Sequence, residues 1–234
     1  MARKHRIAAI ATLLVVAALS VVGLGGVYVA LAQEQPFYTA ALSADPQRLA
    51  IGSRELESRA SVLYSETRQV GAWQAAFTEE QINGWLAVRL ANTYAEALPE
   101  NISEPRVSLA DDQLTLAFRT RRGGVETVVT ARATLLLTDE AKVAIRLQSV
   151  HAGALPLPVM QVADDISHAC QELDLPVSWT QVDGEPVALV DVNRGAGAGG
   201  RPISLSALEL REGTLYIEGQ TLAASAEVPR NARR

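Results

Sequence analysis

RVSLADDQLTLAFRTRRGGVETVVTARATLLL, residues 106–137, is the stretch from which the fold is read. Val107 and Leu109, then Leu114, Leu116 and Phe118, are apolar at every second position, the repeat of a half-buried strand. Asp111-Asp112 and Arg122-Gly123-Gly124 supply the reversals between strands. Residues 125–137 are rich in Val and Thr and predict one long strand, residues 138–141 a turn, and Val143, Ile145 and Leu147 the strand after it. The pattern is that of an antiparallel meander.

Downstream, GALPLP at 153–158 interrupts the sheet, because proline removes ladder donors and pushes the residue before it towards extended geometry. A helix is predicted to begin near Pro158, with Val159, Val162, Ala163, Ile166, Cys170 and Leu173 on its apolar face. Strands resume at 177–182, 187–192, 203–210 and 215–218, separated by Asp183-Gly184, a glycine-rich loop at 195–200, and Glu212-Gly213.

Upstream, FTEEQI at 77–82 predicts a helix start. Thr78 can accept from the Gln81 amide while Gln81 reaches back, and Phe77 can staple onto Ile82. Ile82, Trp85, Leu86, Leu90 and Tyr94 then share one helical face, and Pro99 marks the exit. Glu79 and Glu80 fall in the first turn, where carboxylates complement the helix dipole, so they read as structural and not as an acid and base pair. Helix, strands, helix and strands in succession predict an α+β domain: a strongly curved antiparallel sheet packed on two helices.

At the N-terminal side, residues 7–32 contain no Asp, Glu, Lys, Arg, Asn or Gln, and they exceed the roughly 20 residues that span a bilayer core. Arg3, Lys4, His5 and Arg6 precede them, and such charge stays on the cytoplasmic side. The expected organisation is a cytoplasmic tip (1–6), a transmembrane anchor (7–32), and a tether with a helix opening at Asp45-Pro46 (33–76). An exported α+β domain (77–222) and a flexible tail (223–234) follow. This places the protein in the cell inner membrane with its domain outside or in the periplasm. Ala30-Leu31-Ala32 also fits a signal-peptidase site, which would make the mature chain a secreted one starting at Gln33.

The formal net charge of -5, with scattered basic residues, gives no footprint for nucleic acid. A single cysteine, Cys170, excludes an intramolecular disulfide and reads as a small buried apolar residue. In the exported part only His151 and His168 are histidines, neither in a metal-ligand pattern, although His168 lies three residues after Asp165. The glycine run at 195–200 lacks the Lys-Ser/Thr of a phosphate loop, and Asn101-Ile102-Ser103 is a short glycosylation sequon. No catalytic residue, metal or cofactor is expected, and the chain does not read as an enzyme.

What remains is apolar shape. Long strands carrying Leu114, Leu116, Phe118, Val143, Ile145 and Leu147, with helices carrying Trp85, Leu86, Val162 and Ile166, form either a plain core or a groove able to hold an acyl chain. The expected partners are membrane lipid through the anchor and a bound lipid or amphiphile. The alternative is an assembly factor that meets an envelope protein through its surface or an edge strand.

The helix entry FTEEQINGWL at 77–86 resembles the opening of bacterial membrane-anchored or lipoprotein domains of the YpmS-like and YceB-like groups. VHAGALPLP at 150–158, followed by a helix, is similar to the corresponding turn in those groups and in half-length relatives of the tubular lipid-binding (TULIP-like) proteins. The likeness covers roughly residues 77–220. It implies a long curved sheet wrapped on a helix as a half-barrel, with an apolar lumen for lipid, and carries over no catalytic residue.

Overall fold

The structure, a computed structural model, describes residues 31, 33–93, 101–110, 112–122, 124–138, 142–172, 177–192 and 201–223. The expected cytoplasmic tip, the expected anchor apart from Leu31, the glycine-rich loop and the expected tail beyond Ala223 lie outside the described residues, as do Tyr94, Pro99, Leu173 and the side chains of Asp165, His168 and Cys170. Among the described residues no helix is long and apolar enough to cross a membrane.

The fold is α+β; among the described residues it has ten strands, all pairing antiparallel, and a few helices. The chain enters through α1 (Pro36–Leu42) and α2 (Pro46–Thr67). Asp45 caps α2 by accepting from the Gln47 N–H at 2.9 Å, and Pro46 sits in the first turn, where its missing donor costs nothing. Residues 71–76, expected to close a tether, are instead part of strand β1 (Gly71–Thr78). β1 pairs along its whole length with the last strand, so its extended form is imposed by a partner about 150 positions away and not by local pattern.

Thr78 ends β1 and starts α3 (Glu79–Trp85) through the predicted capping box: its hydroxyl accepts from the Gln81 N–H at 3.2 Å, and Gln81 Oε1 accepts from the Thr78 N–H at 3.1 Å. α3 continues through a π-helical stretch, Leu86–Leu90, into a final turn at Ala91–Thr93. The meander follows as β2 (Ile102–Ala110), β3 (Gln113–Arg122), β4 (Val125–Leu137) and β5 (Val143–Ala152). The proline segment does more than interrupt, since Leu155–Leu157 forms a short β6 on β5 with Pro156 opposite His151. α4 (Val159–Glu172) then leads to β7 (Val177–Val182), β8 (Glu185–Val190), β9 (Ile203–Arg211) and β10 (Thr214–Thr221). The tight turns behave as predicted, with positive φ at Asp183 and Gly184 (55° and 82°) and at Glu212 and Gly213 (48° and 72°).

Where one continuous sheet is expected, the strands divide into two. β1-β10-β9 form a three-stranded sheet, and β2-β3-β4-β5-β8-β7, with β6 beside β5, a seven-stranded one. β8 has β5 on one edge and β7 on the other, so β9 cannot join it, and β9 and β10 form their own sheet with β1. The sheets meet where the Asp112 N–H of the β2–β3 turn donates to the Leu210 carbonyl of β9 at 3.4 Å, and the Glu79 N–H at the start of α3 donates to the Gly213 carbonyl at 2.7 Å.

Register separates the two faces of the large sheet. Leu114, Leu116 and Phe118 stand opposite Ala133, Ala131 and Val129, in line with Leu147 and Val150 of β5, and α4 covers part of this face through Val162 and Ala163. The other face carries Ala117 and Val128 under the fully buried ring of Tyr38 from α1, whose hydroxyl donates to the Glu104 carbonyl at 3.0 Å. Burial, with Glu104 nearby, pushes the Tyr38 phenol up from its ordinary value, so it stays a donor.

Candidate functional site

The apolar surface that remains open lies between α2 and the small sheet. Ala60, Leu63, Tyr64 and Thr67 fall on successive turns of α2 and face Trp73, Ile203, Leu205, Leu208 and Ile217 of the three-stranded sheet. Val143 of β5 and Val192 close one side, giving a cleft of about 320 Å³ lined almost wholly by hydrocarbon. Ligand sites of this type are typically about 300–1,000 Å³.

The floor is apolar because its polar atoms are consumed elsewhere. The buried Trp73 donates from Nε1 to Thr221 Oγ1 at 3.2 Å, and the Thr221 hydroxyl donates to the Thr67 carbonyl at 2.8 Å. This relay also satisfies one of the last carbonyls of α2. The indole lies against the β10 backbone at Gly219, where an added Cβ would come within 2.6 Å of the ring. Only glycine lets Trp73 sit this deep.

The mouth is different in character. Tyr64 is 56% exposed, and the Arg68 guanidinium carbon stands 5.7 Å from its ring centroid, a cation–π contact. Arg201 Nη1 donates to the Arg68 carbonyl at 2.7 Å, which holds a second guanidinium at the end of α2.

A larger groove of about 680 Å³ between α1, α2 and α3 is more polar, with Asp45, Arg48, Glu79 and Glu80 on its walls. Glu79 is engaged there, its Oε2 accepting from the Leu109 N–H at 2.8 Å. No group of three His, Cys, Asp or Glu among the described residues is placed to hold a metal ion.

Of the residues singled out for lipid contact, the cleft takes Val143. Leu147 and Val162 belong to the core cluster beside Val150, Ala163 and Trp179. Leu114, Leu116, Phe118 and Ile145 are half-buried on the same face of the large sheet. Trp85 and Leu86 are half-buried where α3 passes into its π-helical stretch, and Ile166 is exposed on α4. These ten residues therefore do not form one site. The residues missed are Trp73, Leu63, Ile203 and Leu205; the alternation in ISLSALEL at 203–210 and the helical spacing of Ala60, Leu63 and Thr67 carry the signal for most of them.

Protein-family models, curated proteins and solved structures give no significant match to this chain.

Proposed function

We propose that this is a membrane-anchored, extracytoplasmic, non-catalytic protein that binds the acyl chain of a lipid or other amphiphile in the cleft between α2 and the three-stranded sheet. The carrying observation is the cleft itself: an open hydrocarbon surface of about 320 Å³ whose polar neighbours are internally satisfied. The apolar stretch at 7–32, read as a retained anchor, would keep the cleft within reach of a bilayer. In this reading the seven-stranded sheet is a TULIP-like half-barrel, in line with the resemblance at 77–86 and 150–158. Register shifts between Ser103 and Arg106 and between Arg132 and Ala133 favour the necessary curvature.

Full-length protein purified in a maltoside detergent tests this. Mass spectrometry of an organic extract should find a co-purifying amphiphile, and a fluorescent acyl probe should bind. Ala60→Trp, which fills the cleft from the exposed side of α2, should weaken probe binding by roughly tenfold. A lipid-free protein that takes up no probe would end the proposal.

A second reading, an envelope assembly factor, draws on β7. This edge strand of the large sheet runs VSWTQV without a charge, and its Thr180, Gln181 and Val182 are exposed. Edge strands are usually blunted by charge or proline, so β7 is available for strand addition by a protein partner. A specific co-purifying protein lost on Thr180→Pro, together with no acyl binding, would favour it.

A further inference from the structure

From the mouth of the cleft we infer that the amphiphile it takes carries an anionic head, a carboxylate or phosphate, which Arg68 and Arg201 receive while the chain lies along Leu63, Leu205 and Leu208. This inference rests on the cleft being an acyl site. Tyr64 marks the opening because it lines the cleft and is more than half exposed, and Arg68 stands over that ring. Arg201 is held at the end of α2 by donating to the Arg68 carbonyl at 2.7 Å; both residues are exposed, and each guanidinium has further donors to offer a ligand.

The local charge is not cancelled. Among the described residues neither Arg68 nor Arg201 forms an ion pair with a carboxylate. Glu66 and Glu218 line a separate polar cavity with Trp73, Gln74 and Ser206. The negative end of α2 would by itself repel an anion, but two of its terminal carbonyls are already occupied, that of Thr67 by the Thr221 hydroxyl and that of Arg68 by Arg201. Two guanidiniums therefore outweigh it. Their planar forks match the geometry of a carboxylate or phosphate better than an ammonium would.

The experiment uses the full chain in maltoside with two photoactivatable probes of equal chain length, a diazirine fatty acid and the matching fatty alcohol, and reads cross-linked peptides by mass spectrometry. At pH 8 the acid should label peptides containing Tyr64 or Leu208 about fivefold more than the alcohol, the margin expected of an exposed ion pair. Arg68→Gln with Arg201→Gln should bring the acid-to-alcohol labelling ratio to about one, and Arg68→Lys with Arg201→Lys should keep part of the preference. A diacyl phosphate probe added as a third arm separates a phospholipid head from a free fatty acid. Equal labelling by acid and alcohol, or a preference that survives the double Gln variant, overturns the anionic head while the cleft stands. If neither probe labels these peptides, the acyl site itself fails.

Discussion

Asn83 of α3 pairs with Val107 of β2 as a neighbouring strand would. Its Nδ2 donates to the Val107 carbonyl at 2.9 Å, and its Oδ1 accepts from the Val107 N–H at 2.8 Å. β2 is the edge of the large sheet, and one buried amide thus closes that edge and fixes α3 upon it. Asn83→Ala leaves a buried donor and a buried acceptor unpaired and should cost about 3 kcal/mol. Asn83→Asp should be nearly as harmful, since it sets a carboxylate oxygen against the Val107 carbonyl. Intrinsic-fluorescence melting of the full chain in detergent checks both, and unchanged midpoints would show that the pairing carries no stability.

The α2–α3 crossing depends on two glycines. A Cβ on Gly84 would lie 2.5 Å from the Leu49 carbonyl oxygen, and one on Gly52 would lie 2.8 Å from the Glu80 carbonyl oxygen. Both obstacles are backbone, so relief requires the helices to separate. Gly84→Ala should destabilise by about 2 kcal/mol despite alanine's better helix propensity. A melting midpoint that rises instead would mean that the helices part without cost.

Thr221 joins the floor of the cleft to the end of α2. Thr221→Val keeps the shape but leaves the Trp73 indole N–H and the Thr67 carbonyl without this partner, and should cost about 2 kcal/mol. Thr221→Ser, which retains the hydroxyl, should recover most of the loss. If Val and Ser variants melt alike, the hydroxyl is not what matters.

Acid should loosen the β3–β4 hairpin. Arg121, and then Arg119, donate to Glu126 and hold its carboxyl below its usual 4.5. A lowered folded value means that the stabilisation is complete above the ordinary carboxylate range and is lost as pH falls through the lowered one. Glu126→Gln should therefore remove a small increment of stability at neutral pH and none at pH 2. Because the carboxylate is exposed, 1 M salt should shrink the difference between the two proteins. Denaturant curves at both pH values decide it.

The elements legible in the sequence are those whose cause is local. The Thr78–Gln81 box, the long strand at Val125–Leu137 and the Asp183-Gly184 and Glu212-Gly213 turns each follow from a few neighbouring residues. β1 was not legible: in GAWQAAFT the only large apolar residues are Trp73 and Phe77, three alanines blur the alternation between its faces, and β10 holds it extended. The division into two sheets follows from that pairing and from β8 having β5 and β7 on its two edges. The cleft was hidden for the same reason, since its walls come from α2, β1, β5, β9 and β10, and no single segment announces them. Alternation placed Leu114, Leu116 and Phe118 on a sheet face, but it could not say which part of that face another element covers.

The pairing of β1 with β10 also orders events in time. Gly71 is matched with Thr221, so a chain emerging N-terminus first presents α2 and β1 long before their partner strand exists. Until residues 203–221 arrive, Trp73 and Leu63 have no sheet to bury them, and the segment is open to chaperones or to wrong partners. Completion of this domain thus waits for its last strand. Loss of even the final hairpin would leave the earliest-made part of the domain unfinished, although the meander between them was complete.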